Sequence, residues 1–140
     1  MSRPEKDEYN AYYETYVSLV PETEIVSAME SQISEVENAF ARVTAENEAA
    51  AYAEGKWTIR ELAGHLIDGE RIFAYRALRF SRGDRTPVEG FEQNDYIERA
   101  DYNSRSLSSL VDELTLLRRA NVLLFKNLSP VAWALTGQAS

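Results

Sequence analysis

Apolar side chains recur at alternating spacings of three and four residues in three separate parts of the chain. That period matches the 3.6-residue turn of an α-helix, so each part predicts an amphipathic helix with one apolar face. The helices are expected over residues 24–43, 58–82 and 106–127. The predicted inward positions are Val26, Met29, Ile33, Val36, Phe40 and Val43 in the first helix, Ile59, Leu62, Ala63, Leu66, Phe73, Ala77 and Phe80 in the second, and Leu107, Leu110, Val111, Leu114, Leu117, Leu124 and Phe125 in the third.

The second helix has the strongest local signals at its ends. Thr58 and Glu61 have the three-residue spacing of a capping box, in which each side chain bonds to the other residue's backbone N–H. Trp57 and Leu62 occupy the positions of a hydrophobic staple around that cap. Gly83 then breaks the apolar pattern, so we expect the helix to run from the cap to about residue 82.

The other helices have weaker start signals, and one connection is long. Pro21 ends whatever precedes the first helix, and Thr23 can cap its start. Ser129 followed by Pro130 predicts a fresh helical turn after the third helix. Residues 83–105 form a long connection with a short helical turn expected over residues 96–100, and such length is typical of a functional or crossover loop.

These elements predict an all-α fold. No segment alternates apolar and polar residues as a strand would, and the helices have similar lengths, so the chain is expected to form a helical bundle. At 140 residues the chain corresponds to one domain, residues 1–140. Residues 1–22 are the N-terminal arm of that domain.

Four tyrosines share one helical face of that arm: Tyr9, Tyr12, Tyr13 and Tyr16. Tyrosine rings are amphipathic and suit either packing within a bundle or a contact between two copies of the chain. We expect the arm to pack onto the core of its own domain.

Composition excludes several classes of function. The net charge of −8 argues against binding to nucleic acid, since the phosphates would repel the protein. No apolar run is long enough to cross a membrane, and the charged N-terminus does not resemble a secretory signal, so a cytoplasmic location is expected. The absence of cysteine removes thiolate chemistry and disulfides.

One group of residues could carry chemistry. His65 is the only histidine, and it lies on the margin of the second helix's apolar face. Glu61 and Asp68 lie four residues before it and three after it, within reach of a shared site or a hydrogen bond. Two interpretations follow from this spacing: a metal ligand with its supporting carboxylate, or a structural histidine held by hydrogen bonds.

Glu70 points into the apolar arc of the same helix. A charge in that position needs a partner, and Arg118 or Arg119 of the third helix can supply one. A structural ion pair is therefore expected, and a catalytic acid is the alternative.

The residues around this helix also resemble a known family. The segments GKWTIRE at 55–61, GHLIDGER at 64–71, FAYRALRFSRGD at 73–84 and TPVEGF at 86–91 resemble the DinB-like superfamily, with a likeness that covers about residues 16–135. The resemblance implies an up-down four-helix bundle with a crossover connection. It also implies a divalent metal, zinc or nickel, bound by three histidines, of which the first matches His65.

The sequence departs from that pattern, because the other two family histidines form a His-x-x-x-His pair on a fourth helix. This chain contains no such pair, and its fourth helix is missing or incomplete. His65 alone does not make a firm zinc site, and Glu61 and Asp68 lie on the same helix and close the shell poorly. Either the chain is a truncated form of a longer protein, or it is a member that has lost the metal.

A bundle without its fourth helix leaves an apolar groove open, and a second copy of the chain or the tyrosine arm could cover it. A homodimer is therefore expected.

Two functions follow from the resemblance and the residues together. The first is a metal-dependent enzyme related to thiol-dependent transferases, with a low-molecular-weight thiol as partner and His65 as the metal ligand. The alternative is a non-enzymatic, metal-free module for interaction or stress response.

Overall fold

The computed structural model describes residues 3–20 and 24–140, and within them it is helical and contains no β-strand. The α-helices are α1 Glu14–Val17, α2 Ile25–Phe40, α3 Ile59–Ser81, α4 Gln93–Ala100, α5 Leu107–Lys126 and α6 Pro130–Trp133. Two 3₁₀ turns, Ala11–Tyr13 and Tyr102–Ser104, precede α1 and α5. The predicted all-α fold is confirmed.

The three long helices surround a core centred on α5, which packs against both α3 and α2. Contacts between α2 and α3 themselves are few. The buried cluster joins α3, the α4 segment and the first half of α5, and it consists of Ala63, Ile67, Ile97, Tyr102, Leu107, Leu110 and Leu114. The inward positions predicted for the start of the third helix are therefore confirmed.

The ends of α3 follow the local signals. Thr58 Oγ1 accepts a hydrogen bond from the N–H of Glu61 at 3.1 Å, and the Glu61 carboxylate accepts one from the N–H of Thr58 at 2.7 Å. Gly83, with φ of +77°, turns the chain in a left-handed conformation two residues after the helix ends. The capping box and the break at Gly83 are thus confirmed.

The first helix is shorter than its periodicity predicts. α2 ends at Phe40, and the N–H of Val43 bonds back to Phe40 O at 3.0 Å in a tight turn. Val43 nevertheless packs against the core, so the apolar spacing continues past the helix end. Pro21 and Thr23, predicted to close and cap this region, lie outside the described residues.

The long connection contains more helix than expected. α4 begins at Gln93, because the Glu92 side chain accepts from the N–H of Asn94 at 3.0 Å and caps the helix. It ends at Ala100, and the next residue, Asp101, adopts φ of +49° and redirects the chain into the 3₁₀ turn. No described helix has the length and apolar character needed to cross a lipid bilayer.

The prediction that the tyrosine arm packs onto the core is wrong for three of its rings. Tyr12, Tyr13 and Tyr16 are each more than half exposed, and their rings contact one another with centroids 5.3 to 6.4 Å apart. Tyr9 bonds locally to Glu14 at 2.6 Å. The helical segment is only four residues long, so it presents no continuous face to the bundle.

The apolar side of α3 divides into two sectors. Ala63 and Ile67 are fully buried, whereas Leu62, Leu66 and Phe73 remain 43%, 39% and 59% exposed. We call these last three residues the α3 stripe. The sequence predicts one inward face that includes Leu62, Ala63, Leu66 and Phe73 but not Ile67. That prediction is wrong for the stripe, because α5 covers only the neighbouring sector, and it misses Ile67, which is fully buried.

The prediction of an ion pair at Glu70 is confirmed. Arg118 donates from Nη2 and Nε to Glu70 Oε1 at 2.6 and 2.8 Å, and Asn121 donates to the other carboxylate oxygen at 2.7 Å. Arg118 also reaches Gln32 on α2 at 3.0 Å, so the pair links all three long helices. Arg119 forms a more exposed pair with Glu37.

The long connection over residues 83–105, called the crossover segment below, contacts α3 at one close approach. Gly64 is buried beneath the ring of Tyr102, and a Cβ on Gly64 would lie less than 3.0 Å from three atoms of that ring. One turn further along α3, Asp68 accepts a hydrogen bond from the Tyr102 hydroxyl at 2.7 Å.

We expect Gly64→Ala to lower the free energy of unfolding by about 1–3 kcal/mol, because the added methyl group displaces the Tyr102 ring. Gly69→Ala is the matched control, since a Cβ there meets only Phe73 at 3.8 Å. That control should raise stability by about 0.5–1 kcal/mol, because alanine loses less backbone entropy in a helix. Urea unfolding followed by circular dichroism measures both. Equal effects of the two substitutions would contradict the close approach.

We expect Arg118→Met to cost about 3 kcal/mol, because it leaves the mostly buried Glu70 carboxylate without its cation. Adding Glu70→Met should restore most of that loss, since an apolar pair needs no charge compensation. Arg119→Met, at the exposed pair, should change stability by less than about 1 kcal/mol. Urea unfolding of the double-mutant cycle checks this, and a double variant no better than Arg118→Met would refute it.

Candidate functional site

The polar residues at the start of α3 are held by the crossover segment. Asn103 receives a hydrogen bond from the Thr58 hydroxyl at 2.8 Å and donates one to Glu61 Oε1 at 2.9 Å. Arg60 donates to the Asn103 carbonyl at 2.7 Å and forms an ion pair with Glu48. This end of the α3 motif therefore joins the α2–α3 connection to the segment before α5.

Asp68 also binds the crossover segment. Burial of the Tyr102 hydroxyl and its bond to the Asp68 carboxylate together raise the pKa of Tyr102 above its ordinary value. The hydroxyl is therefore protonated at neutral pH and donates to Asp68. Asp68 accepts this hydrogen bond from the crossover segment, and no hydrogen bond joins it to His65 within the described residues.

The expected group of Glu61, His65 and Asp68 is therefore not assembled as a shared site. All three lie on α3 as the spacing requires, yet both carboxylates bond to residues of the crossover segment instead of to the imidazole. The sequence cannot show this, because Tyr102 and Asn103 are more than 30 residues away and their approach is a tertiary event. Gly64 offers one local signal, since a buried helical glycine often marks close packing.

His65 differs from every other polar side chain of the motif. Its ring lies 4.8 Å from the Trp57 ring and is partly buried, and the structure gives it no hydrogen bond within residues 3–20 and 24–140. The remaining polar residues of 58–71 all form hydrogen bonds or ion pairs: Thr58, Arg60, Glu61, Asp68, Glu70 and Arg71. A structural histidine held by hydrogen bonds, one of the two interpretations of the sequence, is thus not found among the described residues.

Burial governs the charge of His65. It lowers the pKa of the imidazole, and the nearby Asp68 charge opposes this effect without reversing it. The neutral form is therefore favoured near neutral pH, and one ring nitrogen keeps a lone pair. A neutral imidazole of this kind can accept a hydrogen bond or ligate a metal.

The described residues do not fit a complete metal centre. Among them, no group of three or more histidine, cysteine, aspartate or glutamate side chains is placed to hold an ion. Glu61 and Asp68 have other partners, so His65 supplies a single donor where zinc requires three or four. Its role as a metal ligand stays a prediction.

Three arginines after His65 hold neighbouring segments of the fold to α3. Arg79 bonds to Asp84 at 2.7 Å, and this contact is the main reason that the pKa of Asp84 lies well below its ordinary value. Arg76 donates to the carbonyls of Glu89 and Ser140 at 2.8 and 3.0 Å. Arg71 pairs with Glu113 of α5. These residues join the loop after α3, the end of the chain and α5 to α3.

The open side of the bundle lies next to His65. Leu62 and Leu66 of the α3 stripe flank it in sequence, and Leu66 also lines a cavity of about 430 Å³ between α2, α3 and α5. Glu70 and Arg118 line the same cavity. A partner that covered the stripe would therefore lie close to the imidazole.

Comparison with solved structures supports the fold. YfiT from Bacillus subtilis, described as a probable metal-dependent hydrolase with an unusual four-helix bundle topology, matches with a TM-score of 0.72. The two sequences are 15% identical, and the match covers 97% of this chain and 73% of that chain. A search among curated proteins found no match.

The sequence itself matches a family profile, described as the DinB superfamily, over residues 28–140. That range contains most of α2 and all of α3, the crossover segment, α5 and α6, and it includes His65. The resemblance carried by the motif of α3 is thereby confirmed. The chain belongs to the DinB superfamily.

Proposed function

We propose that this DinB-superfamily bundle acts as an interaction module that pairs with a second copy of itself through the α3 stripe. The observation that carries the proposal is the exposure of Leu62, Leu66 and Phe73 on the helix that also builds the core. Exposed apolar side chains in a row along one helix are typical of a surface that a partner covers.

The packing of the long helices supports this proposal. α5 contacts both neighbours, whereas α2 and α3 meet little, so the side of the bundle opposite α5 is open. In a four-helix bundle a further helix fills this position. A two-fold axis near the middle of the stripe would bring Leu62 of each copy towards Phe73 of the other, so that one stripe serves as both surfaces.

We expect the wild-type chain to sediment as a dimer at micromolar concentration, at twice the 15.9 kDa of one chain. Leu66→Glu should convert it to a monomer, because a carboxylate within the apolar contact would lose its water. Leu116→Glu on α5, where the leucine is 66% exposed, is the matched control and should leave the dimer intact. Sedimentation velocity distinguishes these outcomes. A monomeric wild type, or equal dissociation by both substitutions, would overturn the proposal.

A second candidate function is a divalent-metal site to which this chain contributes His65. The observation that favours it is the neutral imidazole without a hydrogen bond beside an open apolar surface. The description of YfiT as a probable metal-dependent hydrolase agrees with this candidate. Zinc or nickel would need further donors beyond those of the described residues of one copy, for example donors from a second copy. A low-molecular-weight thiol as partner stays a prediction.

We expect zinc to shift the imidazole signals of an untagged, ¹⁵N-labelled chain if this candidate holds, and His65→Ala to abolish calorimetric binding. Because His65 is the only histidine, its resonances need no assignment. Asp7→Ala in the exposed arm is the control for nonspecific binding and should retain the wild-type affinity. One zinc per two chains would indicate a site between copies. Unchanged imidazole signals at millimolar zinc would reject the candidate and leave the interaction module.

A further inference from the structure

A cavity of about 590 Å³ is bordered by the α2–α3 connection, the start of α3 and Asn94 at the start of α4. It is distinct from the cavity beside Glu70 and Arg118. Its lining residues are Asn47, Ala50, Ala51, Tyr52, Gly55, Lys56, Trp57, Thr58, Ile59, Leu62 and Asn94. This volume lies within the range of cavities that bind small molecules, about 300–1,000 Å³.

The lining is mostly apolar and includes two aromatic rings. Tyr52 is 85% exposed although it borders this concave surface, and Trp57 forms the wall on the side of α3. A tyrosine and a tryptophan at one cavity suit a flat apolar molecule, because the rings offer a large contact area with little loss of side-chain freedom.

The charge of the lining is one-sided. Lys56 is the one charged residue among the described residues that form it, and no carboxylate accompanies it. No ion pair or hydrogen bond joins the Lys56 side chain to another described residue, so its ammonium group is available to a ligand. The Asn47 amide adds a polar group to the same lining, whereas the Asn94 amide donates to Glu92, which is not a lining residue, at 3.0 Å. This combination favours an anion over a neutral or cationic molecule.

We propose that this cavity binds a small aromatic carboxylate, with the ring against Trp57 and the carboxylate paired with Lys56. The proposal requires neither a dimer nor a metal, although Leu62 belongs both to this lining and to the α3 stripe. Trp57 also contacts His65, with 4.8 Å between ring centroids, so a molecule bound here would lie one side chain away from the imidazole.

The test compares 2-naphthoate with 2-naphthamide, which has the same ring system but no charge. Isothermal titration calorimetry of the wild-type chain should show saturable binding of one 2-naphthoate per chain and binding of the amide weaker by about tenfold. Lys56→Met should weaken 2-naphthoate binding by about tenfold and leave binding of the amide within about twofold. Lys6→Met, which changes the net charge equally in the exposed arm, should leave both affinities unchanged.

The location is tested by the two indole N–H signals of the chain, which arise from Trp57 and Trp133 and are assigned with Trp57→Phe. 2-Naphthoate should shift the Trp57 signal and leave that of Trp133 in place. The Leu66→Glu variant should bind 2-naphthoate as the wild type does, which separates this site from the proposed dimer contact. The proposal would be overturned if 2-naphthoate and 2-naphthamide bound with equal affinity, or if Lys56→Met bound 2-naphthoate as tightly as the wild type. A signal shift confined to Trp133, or no saturable binding, would also overturn it.

Discussion

The approach of Tyr102 to Gly64 is the constraint on which the arrangement around α3 depends. A side chain at residue 64 would occupy the place of the ring, and the same position of Tyr102 brings its hydroxyl within hydrogen-bond distance of the Asp68 carboxylate. The neighbouring Asn103 is then within reach of Thr58, Arg60 and Glu61. One aromatic residue therefore sets the position of the crossover segment, and with it the direction from which the chain enters α5.

The two sectors of α3 follow from the same geometry. The crossover segment and α5 occupy the sectors that contain Gly64, Ala63 and Ile67, and these residues are almost completely buried. The α3 stripe lies outside both contacts and stays exposed. The apolar surface of α3 is therefore wider than the part that the rest of the chain covers. The uncovered part motivates the proposed dimer contact and the proposed metal site beside it.

Local signals predicted the helices well, because a cap or a glycine break involves residues only a few positions apart. The capping box at Thr58 and the end at Gly83 are examples. The partner of Glu70 was predictable for a related reason, since a charge in an apolar arc requires an opposite charge on the facing helix. The partners of Glu61 and Asp68 were not predictable, because they come from a loop whose path depends on the Tyr102 contact. The prediction for the tyrosine arm was wrong, because the sequence contains no signal that distinguishes exposed from buried aromatic residues.

This division bears on what the family relationship implies about chemistry. Most polar residues of the α3 motif build the fold: they cap the helix, hold the crossover segment or pair with α5. A family match that depends on such residues is strong evidence for the bundle, yet it does not establish a reaction. His65 is the exception, since its ring contacts Trp57 and forms no hydrogen bond with the described residues. Because neither the caps nor the crossover contacts require an imidazole at this position, the chemistry of the chain is best sought where His65, Trp57 and the open stripe meet.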